Sequence, residues 1–288
     1  GAQIFEGAKT FNADLIVNGL SVGMGAGNIS SNTAIGNAAL SSNTTGSYNT
    51  ANGSNALYSN TIGDGNTANG YYSLYSNTTG YQNTANGYYS LKSNTTGGGN
   101  TANGFMALQA NTEGHGNTAN GYVSLQTNTT GWANTTNGSY TLQSNLTGYQ
   151  NTSIGYNSLR TNTTGNSNTG NGFGSLRFNT TGSSNTAFGS SSLYSNTEGN
   201  YNTSLGYLAG SNLISGSNNI IIGNNAQASS ATVSNEITLG NSGVTVLRAN
   251  ATTITSLSDR RDKTDIADIS EGLSFIKQLR PVVFTWDT

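Results

Sequence analysis

Residues 66–82 read Asn-Thr-Ala-Asn-Gly-Tyr-Tyr-Ser-Leu-Tyr-Ser-Asn-Thr-Thr-Gly-Tyr-Gln, and close variants of this seventeen-residue unit stand on both sides of it. A glycine recurs in one unbroken register from Gly36 through Gly53, Gly70 and Gly87 to Gly240, which is thirteen occurrences. A second glycine follows ten residues later, from Gly46 through Gly63 and Gly80 to Gly216. Asparagine opens twelve successive units, Asn32 to Asn219, and Glu236 takes that slot in the thirteenth. A period of seventeen is too short for helical repeats, whose units run from about 33 residues upward. The expected fold is therefore all-β: an elongated parallel β-solenoid, a β-roll or β-helix, with seventeen residues per coil and two fixed bends in each. At roughly 4.8 Å per coil, thirteen coils make a rod on the order of 60 Å long.

Within the unit, alternation predicts a strand after the first glycine, with Tyr72 and Leu74 on one face and Tyr71, Ser73 and Tyr75 on the other. Leucine keeps its place from Leu40 through Leu74 and Leu91 to Leu193, which marks the inward stripe. The residue before it is always small, as in Ala39, Ser73, Ala107 and Thr141, so a close approach of another surface is expected there. The slot before the first glycine is asparagine at Asn52, Asn69, Asn86, Asn103, Asn120, Asn137 and Asn171, and apolar at Ile35, Ile154, Phe188, Leu205, Ile222 and Leu239. Identical asparagines stacked at strand spacing can pair amide to amide. An Asn ladder between more apolar ends is the expectation.

Composition bounds the function. Glycine occurs 39 times, proline once, and only 8% of residues are charged. So thin a core falls short of the cost of ordering the backbone, so subunit contacts must help. Obligate association between chains is expected, with the column Tyr71, Tyr88, Phe105, Tyr122, Tyr156, Phe173 and Tyr207 supplying interface area. The net charge of -2 and the lack of a basic patch argue against a nucleic-acid partner. No stretch approaches the ~20 apolar residues that cross a bilayer, so no membrane insertion is expected. With no cysteine and His115 the one histidine, no metal site and no cofactor are expected.

Aromatic residues recur in the gap after the second glycine: Tyr48, Tyr81, His115, Trp132, Tyr149 and Tyr201. They are candidates for binding a host surface glycan or protein receptor, set against plain solvent-facing or inter-subunit packing. Sequons at Asn77, Asn94 and Asn128 share their slot with Asn60 and Asn111, which lack the sequon, so they read as turn and ladder residues. Asp64, Glu113 and Glu198 are about three and five coils apart, too far for the ~5–9.5 Å pairs of glycosidases. Gly97-Gly98-Gly99 reads as a turn, since it lacks the lysine and helix of a phosphate loop.

The segments at Asn32–Gly36, Asn151–Gly155, Asn185–Gly189 and Asn202–Gly206 resemble repeats in the heads of trimeric autotransporter adhesins. The lead-in from Ala13 to Gly23 followed by the seventeen-residue repeat looks more like a phage tail fibre. Residues 1–257 carry eleven charges and residues 258–288 another eleven, which places a boundary at 258. The expected organisation is a lead-in strand segment (1–25), a solenoid shaft (26–257) and a short α+β segment (258–288). That last segment, from Ser258-Asp259-Arg260-Arg261-Asp262-Lys263 to Leu279-Arg280-Pro281, resembles the start of the intramolecular chaperone that ends phage tailspikes, endosialidases and long tail fibres. Ser270 is placed to cap a short helix with Leu273, Ile276 and Leu279 on one face and Pro281 as its stop.

The resemblance implies trimerisation, followed by self-cleavage at the Ser258–Asp259 junction with Ser258 as nucleophile and Lys263 as general base. Family modules are longer than this segment, so cleavage is expected of a longer parent protein. Three functions stand as expectations: the structural and receptor-binding shaft of a phage tail fibre, a bacterial surface adhesin or extracellular filament, and a glycan-degrading tailspike. The first leads and the last is disfavoured by its scattered carboxylates.

Overall fold

The structure, a computed structural model, describes residues 14–248. It begins with an antiparallel hairpin, β1 (Leu15–Val17) and β2 (Leu20–Gly23), and a single 3-10 turn at Ala26–Asn28. Three-residue strands then recur every seventeen residues, from β3 (Thr33–Ile35) and β4 (Thr50–Asn52) to β15 (Ile237–Leu239). All fifteen strands join in chain order into one sheet. From β3 onward the pairing is parallel and in register, as in Thr67 with Thr84, Ala68 with Ala85 and Asn69 with Asn86. β2 lies antiparallel on β3, Val22 opposite Ile35, so the hairpin covers the first edge of the stack. The solenoid unit ends at Val244.

The strand lies before the first glycine, not after it. After Gly70 the chain bends continuously, with Tyr72 at φ 56° and Leu74 at φ 50°, both left-handed. The expected alternation of faces therefore fails: Ser73 and Leu74 are adjacent, and both are completely buried. The small residue beside the leucine looks inward and makes room within the coil instead of admitting an outside surface. A left-handed backbone costs a side-chain-bearing residue ~1–2 kcal/mol, while burying a leucine returns ~1.5–3 kcal/mol. Burial wins in the leucine column, which is fully buried from Leu40 to Leu193.

Asparagine fills the rest of the interior. Two columns are buried along the coils, one running from Asn32 through Asn66 to Asn219 and the other from Asn43 through Asn77 to Asn196. Their role comes from the turn at the second glycine, whose backbone points polar groups inward, where water cannot serve them. The carbonyl of Gly80 accepts from Asn66 Nδ2 and from Asn77 Nδ2, each at 2.9 Å. The backbone N–H of Asn83 donates to Asn66 Oδ1 at 3.0 Å. Each amide also joins its neighbour in the stack: Asn83 Nδ2 donates to Asn66 Oδ1 at 3.1 Å, and Asn94 Nδ2 to Asn77 Oδ1 at 2.8 Å. The second column stops where Leu213 replaces asparagine, which leaves Asn196 Oδ1 without a donor.

Glu236 closes the first column. Its N–H donates to Asn219 Oδ1 at 2.9 Å, while its carboxylate accepts from Ser229 N–H at 2.9 Å and Thr238 Oγ1 at 2.8 Å. The bonds from Ser229, and then Thr238, hold this carboxyl below its ordinary value of 4.5. A depressed carboxyl stabilises the folded state above its unfolded pKa, and that contribution is lost as pH falls through the folded pKa. The last coil is thus expected to fray below about pH 4.5 before the central coils do. Hydrogen exchange of the Ile220 amide, which donates to Glu236 O, reads this out against the Thr118 amide in mid-shaft. Equal acid sensitivity at both sites contradicts the assignment.

Candidate functional site: aromatic columns on two corners

Two corners of the coil carry aromatic side chains. On the first, Tyr71, Tyr88, Phe105 and Tyr122 stack at centroid distances of 5.4, 5.4 and 5.2 Å. Ser139 interrupts the column, and Tyr140 swings in edge-on to bridge Tyr122 and Tyr156 at 5.3 and 5.8 Å, before Tyr156 stacks on Phe173 at 5.6 Å. Tyr72, Tyr75 and Tyr89 thicken the start of this ridge, and Lys92 Nζ sits 4.5 Å from the Tyr89 ring centroid. Partial burial, then the neighbouring Tyr72, raises the Tyr71 phenol above its usual value, and burial followed by Tyr122 does the same for Tyr140.

Beside the ridge runs a polar line that escapes sequence reading. Gln126 Nε2 donates to Gln109 Oε1 at 3.0 Å, Gln143 Nε2 to Gln126 Oε1 at 3.3 Å, and Arg160 Nε to Gln143 Oε1 at 3.1 Å. Lys92, Arg160 and Arg177, the three basic residues between 26 and 244, all fall in this column. Their shared register was the available signal.

On the outer face of the sheet, Asn69 Nδ2 donates to Asn86 Oδ1 at 2.8 Å, Asn86 to Asn103 at 2.8 Å and Asn103 to Asn120 at 2.7 Å. Beyond Asn137 this column turns mostly apolar, with Ile154, Phe188, Leu205, Ile222 and Leu239 all exposed. This outer ladder is the one expected from the sequence, which assigned no interior role to the Asn66 column. Asn77, Asn94 and Asn128 have no exposed surface, so their sequons are closed to a glycan in the folded chain.

The second corner lies after the second glycine. Trp132 stacks on His115 at 5.9 Å and 7°, and on Tyr149 at 4.8 Å and 3°. Tyr81 leans over Gly98, where a Cβ would come within 2.8 Å of its ring. Tyr48 and Tyr201 do not join them: each occupies the second residue of its gap, at φ 56° and 59°, and points elsewhere with most of its surface exposed.

A simple rule governs the backbone along this second column. Where the next coil presents Asp, Asn or Ser, that side chain accepts the N–H of the coil before it: Asp64 accepts from Ser47 at 2.7 Å, Asn166 from Tyr149 at 3.0 Å and Asn200 from Ser183 at 2.8 Å. From Asp64 to Trp132 the next residue in line is aromatic or glycine. Among the described residues, the N–H groups of Asp64, Tyr81, Gly98, His115 and Trp132 meet no acceptor.

Among the described residues no group of three or more His, Asp or Glu could hold a metal ion, and no helix is long and apolar enough to cross a membrane. Ser258, Asp259, Lys263 and the predicted helix from Ser270 lie outside the described residues. The charged segment C-terminal to the solenoid is the part with a known counterpart. Residues 258–288 match the chaperone of endosialidase family. No curated protein matches the chain, and no solved structure does.

Proposed function

We propose that this chain is the shaft of a phage tail fibre, a homotrimer carried on the virion tail, whose C-terminal module guides its assembly. The observation that carries this reading is the order of parts: a seventeen-residue β-solenoid running into a segment that matches the endosialidase chaperone. The chain surface supports it. The outer sheet face and the adjoining aromatic column expose Ile154, Tyr156, Phe173, Phe188, Leu205, Tyr207, Ile222 and Leu239 on one uncharged strip. Contiguous exposed apolar strips of this kind mark interfaces. The bases stand in the Lys92 column, and Asp64, Glu113 and Glu198 stand near the second glycine, so sister chains can meet along the strip without burying a charge.

Light scattering is expected to give three times the chain mass, and the double substitution F188K/L205K to abolish that species. A wild-type monomer at micromolar concentration refutes the trimer. Ser258 is the proposed nucleophile of a self-cleavage at the Ser258–Asp259 junction. Lys263 is the proposed base. Mature fibres that run intact past Asp259 in a mass spectrum rule this out.

A further inference from the structure

We infer that the corner from Tyr81 to Tyr149 is a binding track for a neutral polysaccharide strand lying along the solenoid axis. This deepens the fibre reading, on which it rests for its receptor role. In the stack of His115, Trp132 and Tyr149 the rings lie nearly parallel, so both faces of Trp132 are covered and the edges look outward. Ring edges are the positive part of an aromatic quadrupole. Trp132 is half-buried, and its indole N–H donates to no acceptor among the described residues. Alongside stand the free backbone N–H groups of Tyr81, Gly98, His115 and Trp132, one per coil. The track is therefore rich in donors and repeats at the coil spacing of ~4.8 Å.

The protein shows what such a row accepts. In the flanking coils the same N–H takes an oxygen from Asp64, Asn166, Ser183 or Asn200 of the next coil. Over the central coils no side chain supplies that oxygen, and the hydroxyls of a sugar chain can supply it coil after coil. Charge selects among saccharides. Asp64 and Glu113 are exposed on or beside this corner, and the three bases between residues 26 and 244 stand in the Lys92 column, so a polyanion is disfavoured and a neutral strand fits.

Trp132→Asn provides the test, because asparagine occupies this column natively at Asn166 and Asn200 and would cap the His115 N–H as they cap theirs. The probes are neutral gluco-, manno- and galacto-oligosaccharides, with an oligoguluronate as the charged comparator, titrated calorimetrically into the full chain. Saturable binding of at least one neutral probe is expected, weakened tenfold or more by Trp132→Asn and unchanged by Tyr201→Asn in the neighbouring column. Binding of no neutral probe, binding of the oligoguluronate alone, or wild-type affinity in Trp132→Asn overturns the track. Light scattering on the same samples scores the trimer separately, so loss of the track and loss of the fibre reading remain distinct results.

Discussion

Replacing Asn100 by alanine is expected to lower stability by about 3–6 kcal/mol, far more than removing an exposed asparagine. Asn100 Oδ1 accepts from the Asn117 N–H at 2.9 Å and from Asn117 Nδ2 at 3.2 Å. Its own Nδ2 donates to Asn83 Oδ1 at 3.1 Å and to Gly114 O at 2.8 Å. Most partners keep a second bond: Gly114 O retains Asn111 Nδ2, and Asn117 Nδ2 retains Gly131 O. The Asn117 N–H retains none, and a buried orphan donor costs ~1–3 kcal/mol beyond ~0.5–1.5 kcal/mol for each further bond lost. Asn69→Ala, on the outer ladder, forfeits one part-buried bond and is expected to cost about 1 kcal/mol. Denaturation midpoints of the two variants give the comparison, and equal losses would show that the interior amides hold no special place.

The second large effect is expected at Gly70. Its φ of +135° belongs to a region nearly reserved for glycine, and a Cβ there would stand 2.6 Å from the carbonyl oxygen of Gly87 on the next coil. Backbone cannot step aside as a flexible side chain can, so Gly70→Ala combines ~1–3 kcal/mol of dihedral strain with a steric cost of similar size. Gly99 is the internal control. It is also left-handed, at φ +67°, yet a Cβ would meet only Gly116 N at 3.9 Å, and Ala133 already occupies the same column at φ 53°. Gly99→Ala should cost only the ~1–2 kcal/mol of a left-handed side chain, with no clash added to it. Thermal melts that rank Gly99→Ala at or below Gly70→Ala refute this account of the first-glycine column.

The repeat made the parallel stack legible, because residues recurring at one interval must form columns once any two coils pair. It also exposed the leucine stripe. The corners were hidden because left-handed leucine and tyrosine, as at Leu74 and Tyr72, have no sequence signal: alternation of polar and apolar residues looks the same in a strand and in a run of tight bends. The interior amides were hidden for a related reason. Asparagine before glycine or threonine ordinarily marks an exposed turn, and only the inward carbonyl of Gly80 shows why Asn66 and Asn77 are needed inside. On the aromatic corner, the gap was visible in the sequence, but its two places differ in backbone conformation. That difference separates Tyr48 and Tyr201 from the stack around Trp132.

Each interior amide bond recurs seventeen residues further along the chain, which makes shaft length quantised. Excising residues 83–99 would join Gln82 to Asn100, return each column to itself and shorten the rod by one step of ~4.8 Å. Losing sixteen residues instead would set every later side chain one place out of line. Recombination between near-identical repeats can thus act as a tape measure, changing the reach of the rod in whole steps while each coil still meets only its nearest neighbours.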